Sequence, residues 1–145
     1  MTRVAVIFTG GTIAMEPDST AGGAVPVLSA HDIVSRTPGL DDVAEVEAVD
    51  WGLVPASHLG FGQLIEIARL VAAALARPEI VGAVVVQGTD TIEETAFAFD
   101  LLIDSHKPVV VTGAMRNAAE PDYDGPRNLV DAVRCASSPD LVGMG

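Results

Sequence analysis

The sequence predicts an α/β domain built on a doubly wound, mostly parallel sheet with helices on both faces. Three observations predict it. Short Val/Ile runs alternate along the chain with longer segments of helical period. Several of those runs are almost uninterrupted by polar residues, as strands covered on both faces are. Each then hands over to a turn of polar residues and glycine. A strand, helix, strand, helix order with right-handed crossovers buries both faces of such a sheet.

The elements follow in order. Arg3 to Phe8 (RVAVIF) is the first strand. Ser29-Ala-His-Asp32 reads as a capping turn that Ser29 opens, with His31 a bystander in it. Val43 to Val49 (VAEVEAV) alternates more and predicts an edge or half-exposed strand. Phe61 to Arg77 carries Leu64, Ile67, Ala68, Val71 and Leu75 at helical spacing and stops before Pro78. Ile80 to Val86 (IVGAVVV) is a buried strand, and Thr91 to Asp104 is a helix that Asp90 caps, with Glu93 reaching back as a capping box. Pro108 to Val111 is the next strand, and His106 and Lys107 precede it. Gly125 to Ala136 is the last helix, capped by Asp124 and started by Pro126, and Cys135 on it is a small core or interface residue. No repeat, low-complexity tract or linker divides residues 1–145, which form a single domain.

Composition narrows the function. The chain has 145 residues, 49% of them hydrophobic, enough for a sizeable core. Eight Lys plus Arg stand against twenty Asp plus Glu, a formal charge of −12, so no basic stripe is available for nucleic acid or for an anionic membrane. Only five apolar residues precede Thr9 after Arg3, too short a run for a signal-peptide core, and no later run reaches spanning length. A cytoplasmic protein is expected. The single Cys135 forbids an internal disulfide, and no Cys/His cluster has zinc-ligand spacing, so neither structural metal nor cofactor is expected.

Three strand ends share a pattern. They read Thr9-Gly10-Gly11-Thr12, Gln87-Gly88-Thr89-Asp90-Thr91 and Thr112-Gly113-Ala114-Met115. In an open parallel sheet the carboxyl ends lie along one edge, and ligands bind in the crevice there, so the three turns converge. Any one of them alone could owe its glycine to turn geometry. The phosphate-cradling reading is weak: the spacing of G-x-G-x-x-G is absent, and the sole lysine, Lys107, belongs to no P-loop. Lys107 lies at the amino edge of its strand, roughly 13–17 Å from the crevice at ~3.3 Å per residue. A threonine nucleophile needs an activating base and donors for the oxyanion, and Thr12 together with the hydroxyl–carboxylate pair Thr89-Asp90 supplies part of that set.

TGGTIA near the start, QGTDTIEETA after the third strand and KPVVVTGAMR through the fourth together resemble the bacterial-type L-asparaginase family. The resemblance implies hydrolysis of the side-chain amide of L-asparagine, and more slowly of L-glutamine, with release of ammonia. It implies Thr12 as the nucleophile that forms an acyl-enzyme, and Thr89 and Asp90 as a catalytic pair that also contacts substrate. Gly11, Gly88 and Ala114 become substrate-side backbone positions, and Thr9 is structural. The family's S-x-D-M segment maps onto Ala56-Ser57-His58-Leu59, which makes Ser57 a carboxylate ligand. A homodimer or homotetramer is implied as well.

The sequence departs from the family in four places. The loop after TGGTI, Asp18 to Val27, lacks the tyrosine that many members hydrogen-bond to the nucleophile, and the sole tyrosine is Tyr123. Ser57 stands in a rearranged segment, and Gln87 replaces the usual His in a position that buttresses the turn. The family's catalytic lysine and its second domain would follow Gly145, so the chain is expected to be a fragment covering most of the larger domain. Two other functions stay open: the ammonia-releasing subunit of a tRNA-dependent amidotransferase, and a catalytically silent amino-acid binding module.

Overall fold

Alternation along the strands sorts the side chains into two layers. The structure is a computed structural model that describes residues 2–18 and 23–144. In β1 (Arg3–Phe8) the side chains of Val4, Val6 and Phe8 point into one core, and those of Ala5 and Ile7 into the other. β5 (Ile80–Val86) divides in the same way, with Val84 and Val86 on the first side and Ala83 and Val85 on the second. An apolar run without polar breaks is therefore what both faces require.

The sheet runs β4-β1-β5-β6, all parallel, with β4 at Glu45–Asp50 and β6 at Val109–Thr112. α1 (Ala30–Ser35) and α4 (Gly125–Ala136) cover one face through Ala30, Ile33, Leu129, Ala132, Val133 and Ala136. α2 (Phe61–Leu75) and α3 (Ile92–Leu102) cover the other through Ile67, Ala68, Val71, Leu75 and Phe99. This is the doubly wound arrangement expected. β4 is an edge strand with mixed exposure, as its alternating sequence implies.

Two short strands interrupt the first crossover: β2 (Met15–Asp18) and β3 (Gly23–Pro26) pair antiparallel as a separate ribbon. No alternation of apolar and polar residues marks this ribbon. The loop Asp18–Val27 falls partly on residues 19–22, outside the described residues. Four other expectations need correction at their ends. The strand expected over Val43 to Val49 runs instead from Glu45 to Asp50. The last strand begins at Val109 rather than Pro108, because proline has no N–H for the ladder. The second and third helices end at Leu75 and Leu102. Ser29 does open α1 with a full capping box: its hydroxyl accepts from the Asp32 amide while Asp32 accepts from the Ser29 amide and hydroxyl.

The connections place the site. From β1 the chain crosses to β4 on one side and then returns past β1 to β5 on the other. The winding direction reverses between β1 and β5, and the crevice outside their carboxyl ends is where doubly wound sheets bind ligands.

Candidate active site

The turn after β1 is built on two glycines. Thr9 is fully buried and structural: its amide and its hydroxyl both donate to the carbonyl of Val86, at 2.9 and 3.1 Å. Gly10 and Gly11 follow at φ of 116° and 91°. The backbone of Gly11, with ψ −178°, is open essentially to glycine alone. It delivers Thr12 as the first residue of a 3₁₀ turn, Thr12–Ala14, half-buried at the head of the crevice.

The turn after β5 carries the second motif. Gln87 is fully buried and its Nε2 donates to the carbonyl of Gly88 at 3.2 Å, so it does buttress the turn. Its Oε1, like the Thr95 hydroxyl on α3, has no hydrogen-bond partner among the described residues. Thr89–Thr91 forms another 3₁₀ turn, with Thr89 half-buried and Asp90 exposed. The expected capping box is absent. Thr91 occupies the cap position of α3, and no side chain caps that helix end. Asp90 sits one residue too early, inside the 3₁₀ turn, and its carboxylate stays free of the helix it was expected to close.

The two turns meet backbone to backbone. A Cβ placed on Gly11 would lie 2.4 Å from the amide nitrogen of Gly88 and 2.6 Å from its Cα. Real carbon atoms do not approach so closely, so glycine at 11 is what permits the contact. Thr12 and the Thr89-Asp90 pair therefore leave adjacent points of one junction. The glycines bring loop to loop, a purpose the sequence did not reveal.

Ser57 reaches the same neighbourhood. Ala56–His58 forms a short 3₁₀ turn packed on the Thr89–Thr91 turn, and the Thr91 hydroxyl donates to the Ala56 carbonyl at 3.3 Å. Ser57 and His58 are both exposed there. The third strand-end turn contributes through Met115, whose sulfur accepts from the Thr89 hydroxyl at 3.5 Å. Ala114 is buried in the core, so that position can offer the crevice backbone only.

Two residues after the third turn act differently from expectation. Asp124 does not cap α4. Its carboxylate accepts from the amides of Met115 (3.2 Å) and Arg116 (3.0 Å) and from Asn128 Nδ2 (2.9 Å). Burial pushes that carboxyl up, but these donors outweigh it and hold it below the ordinary aspartate range. Tyr123 is half-buried, and its phenol donates to the carbonyl of Ile13 at 2.8 Å, next to Thr12. Burial first, then the neighbouring Asp124 charge, pushes the phenol up to about 12. Cys135 is exposed rather than a core residue, because it lies off the buried stripe Leu129, Ala132, Val133, Ala136.

What converges is a set of hydroxyls, a carboxylate and backbone amides. Lys107 is elsewhere, its Nζ donating to the carbonyls of Leu75 and Arg77 at the end of α2. Among the described residues no cluster of His, Cys, Asp and Glu has the makings of a metal site, and no helix is long and apolar enough to cross a membrane. A cavity of about 570 Å³ lies along the free edge of β6 against Phe99, Ile103 and Lys107. Ile92, Glu93 and Ala96 of the second motif line it, but none of Thr12, Ser57, Thr89 and Asp90 does. The chemistry points to the β1/β5 crevice, and the cavity reflects an uncovered strand edge.

Comparison with known proteins gives the following. Residues 3–145 match the family described as Asparaginase, N-terminal. The chain is 39% identical to L-asparaginase 2-3 of Saccharomyces cerevisiae over 144 residues, which is 98% of this chain and 40% of that protein. It is 34% identical to L-asparaginase 2 of Bacillus subtilis over 146 residues, covering 99% of this chain and 39% of that one. In structure it resembles a crystal structure of a probable cytoplasmic L-asparaginase from Campylobacter jejuni with a TM-score of 0.89 and 34% identity, covering all of this chain and 44% of the other. The chain thus spans about two fifths of the length of these curated relatives.

Proposed function

The chain belongs to the asparaginase family, matching its N-terminal domain, and from that premise we propose that it supplies the nucleophile half of an amidohydrolase acting on L-asparagine. The Thr12 hydroxyl attacks the carbon of the side-chain amide. Ammonia leaves with the hydroxyl proton, and an acyl ester on Thr12 remains. Water held at Thr89 and Asp90 then opens the ester, releases L-aspartate and returns the proton to Thr12. Amides of the glycine turns stand by for the oxyanion, and the amino end of α3 favours negative charge beside Thr89. Ser57 binds the substrate carboxylate from the adjoining turn, with Gly11, Gly88 and the Ala114 backbone lining the approach.

The observation that carries this reading is the Gly11–Gly88 junction, which supports Thr12 and Thr89-Asp90 acting in one site. Residues 1–145 form one α/β domain in this account. A second domain and a lysine complete the site in a cytoplasmic homodimer or homotetramer, and the protein serves asparagine catabolism without a metal or organic cofactor. The test is ammonia release from free L-asparagine by the full-length protein with no tRNA and no partner subunit. Turnover supports the hydrolase. Turnover only with tRNA and a partner would assign it to an amidotransferase, and L-aspartate binding without any turnover would leave an amino-acid binding module.

A further inference from the structure

Every carbonyl of the Thr12 turn is engaged, and one of them in an unusual way. The Gly11 carbonyl accepts from the Ala14 amide, that of Thr12 from Met15, and that of Ala14 from Val27 and Leu28. The carbonyl of Ile13 is taken instead by a side chain 110 residues further on, the phenol of Tyr123. Carbonyls at the end of a short 3₁₀ turn have no partner inside it, so this hydrogen bond fixes a group the local backbone leaves open.

The next residue reaches the other way. Asp124 gathers the amides of Met115 and Arg116, and Asn128 joins Asp124 to the carbonyl of Gly113. Met115 in turn touches the Thr89 hydroxyl. The dipeptide Tyr123-Asp124 thus spans from the turn of Thr12 to the turn beside Thr89. α4 leaves room for it: a Cβ on Gly125 would stand 2.5 Å from three atoms of the Tyr123 side chain, Cε2, Cζ and Oη. The ring also packs on the core shared by β1 and α4.

We propose that Tyr123 is a positioning residue for Thr12, its phenol holding the Ile13 carbonyl so that the nucleophile's turn keeps a fixed place relative to Thr89. It is not a base. Its proton is committed to a carbonyl, and burial raises further a phenol that is already protonated at neutral pH. The inference rests on the nucleophile reading of Thr12. Its catalytic consequence follows from the steep dependence of rate on placement, where a shift of ~1 Å can cost on the order of 10²-fold.

The test compares Tyr123→Phe, Gly125→Ala, the double variant and Thr12→Ala in the full-length protein, measuring ammonia release from L-asparagine and thermal melting. Tyr123→Phe keeps the ring and loses the hydrogen bond, whereas Gly125→Ala keeps the hydroxyl and displaces the ring. Each is expected to lower kcat about tenfold or more with KM within about twofold. The double variant should be no slower than the slower single, since both remove the same bond. Exchange of the amide hydrogens over residues 12–15 should be faster in Tyr123→Phe, a readout independent of turnover. If Tyr123→Phe does not melt cooperatively, Gly125→Ala carries the test. Unchanged kcat in Tyr123→Phe with an inactive Thr12→Ala overturns the positioning role alone. Additive losses in the double variant overturn it too. An active Thr12→Ala removes the nucleophile reading and the role of Tyr123 with it.

Discussion

Alanine at position 11 should be among the most damaging single changes on this domain, and its cost divides into two parts. The φ of 91° with ψ near 180° belongs to a region costing a residue with a side chain about 1–3 kcal/mol. The new Cβ would also stand 2.4 Å from the Gly88 nitrogen and 2.7 Å from the Gln87 carbonyl carbon, all backbone that cannot swing aside. Overpacking of that kind costs about 1–3 kcal/mol. Together they make about 2–6 kcal/mol, a large part of the ~5–15 kcal/mol that holds a typical domain. At ~2–4 °C per kcal/mol for a domain of this size, the melting temperature should fall by roughly 4–24 °C. Two controls separate the parts. Gly39 has φ 79° and no neighbour within 4 Å, so Gly39→Ala should show the backbone cost alone, about 1–2 kcal/mol. Gly62 lies in α2 with nothing within 4 Å, and Gly62→Ala should be neutral or stabilising by up to about 1 kcal/mol. Urea denaturation followed by far-UV circular dichroism gives all three. A Gly11→Ala cost no larger than that of Gly39→Ala would refute the backbone junction on which the site is built.

Three further expectations concern groups around the site and the helix ends. Lys107→Met leaves the carbonyls of Leu75 and Arg77 without their ammonium donor and should destabilise by about 1–3 kcal/mol in the same denaturation assay, with no change in L-aspartate affinity. The Tyr123 phenol should titrate in ultraviolet difference spectra at about 12 rather than near the ordinary tyrosine value. The native state then holds that proton longer than the unfolded chain, so its contribution to stability is full below the unfolded pKa and is lost as pH rises through about 12. Ser29→Ala should cost about 1 kcal/mol at neutral pH by removing the cap of α1. The Ser29 hydroxyl, and then its amide, hold the Asp32 carboxyl below its usual value. That part of the stability is present above the unfolded pKa and disappears as pH falls through the depressed native one, so the difference between wild type and variant should shrink in strong acid to what the Ser29 hydroxyl gains by accepting from the Asp32 amide.

Where burial on both faces dictated residue type, the sequence was readable. Arg3–Phe8, Ile80–Val86 and Gly125–Ala136 came out at their true bounds because their apolar patterns have no competing interpretation. The β2–β3 ribbon did not, since Pro17 and Pro26 lie within it and no alternation marks it. The two carboxylates before helices misled for a physical reason. A capping bond is worth about 1 kcal/mol, and Asp124 instead found two amides across the loop, contacts that local sequence cannot display, together with the Asn128 side chain in the first turn of α4. For Cys135 the helical phase carried the signal, as its neighbours at 129, 132, 133 and 136 form the stripe and leave 135 outside. In the site, convergence of the turns was legible from the glycines at strand ends, while the loop-to-loop contact and the reach of Tyr123 to Ile13 depend on tertiary approach alone.

The central claim is that Thr12 makes and breaks the covalent bond, and one substitution tests it directly. Thr12→Ala in the full-length protein removes the hydroxyl at a half-buried position and leaves the junction of Gly11 and Gly88 in place. Ammonia release from L-asparagine should fall by at least about 10³-fold. L-Aspartate should still bind within a few-fold of wild type by titration calorimetry, because the hydroxyl serves bond making more than holding. Near-normal turnover in Thr12→Ala would contradict the account and place the nucleophile elsewhere.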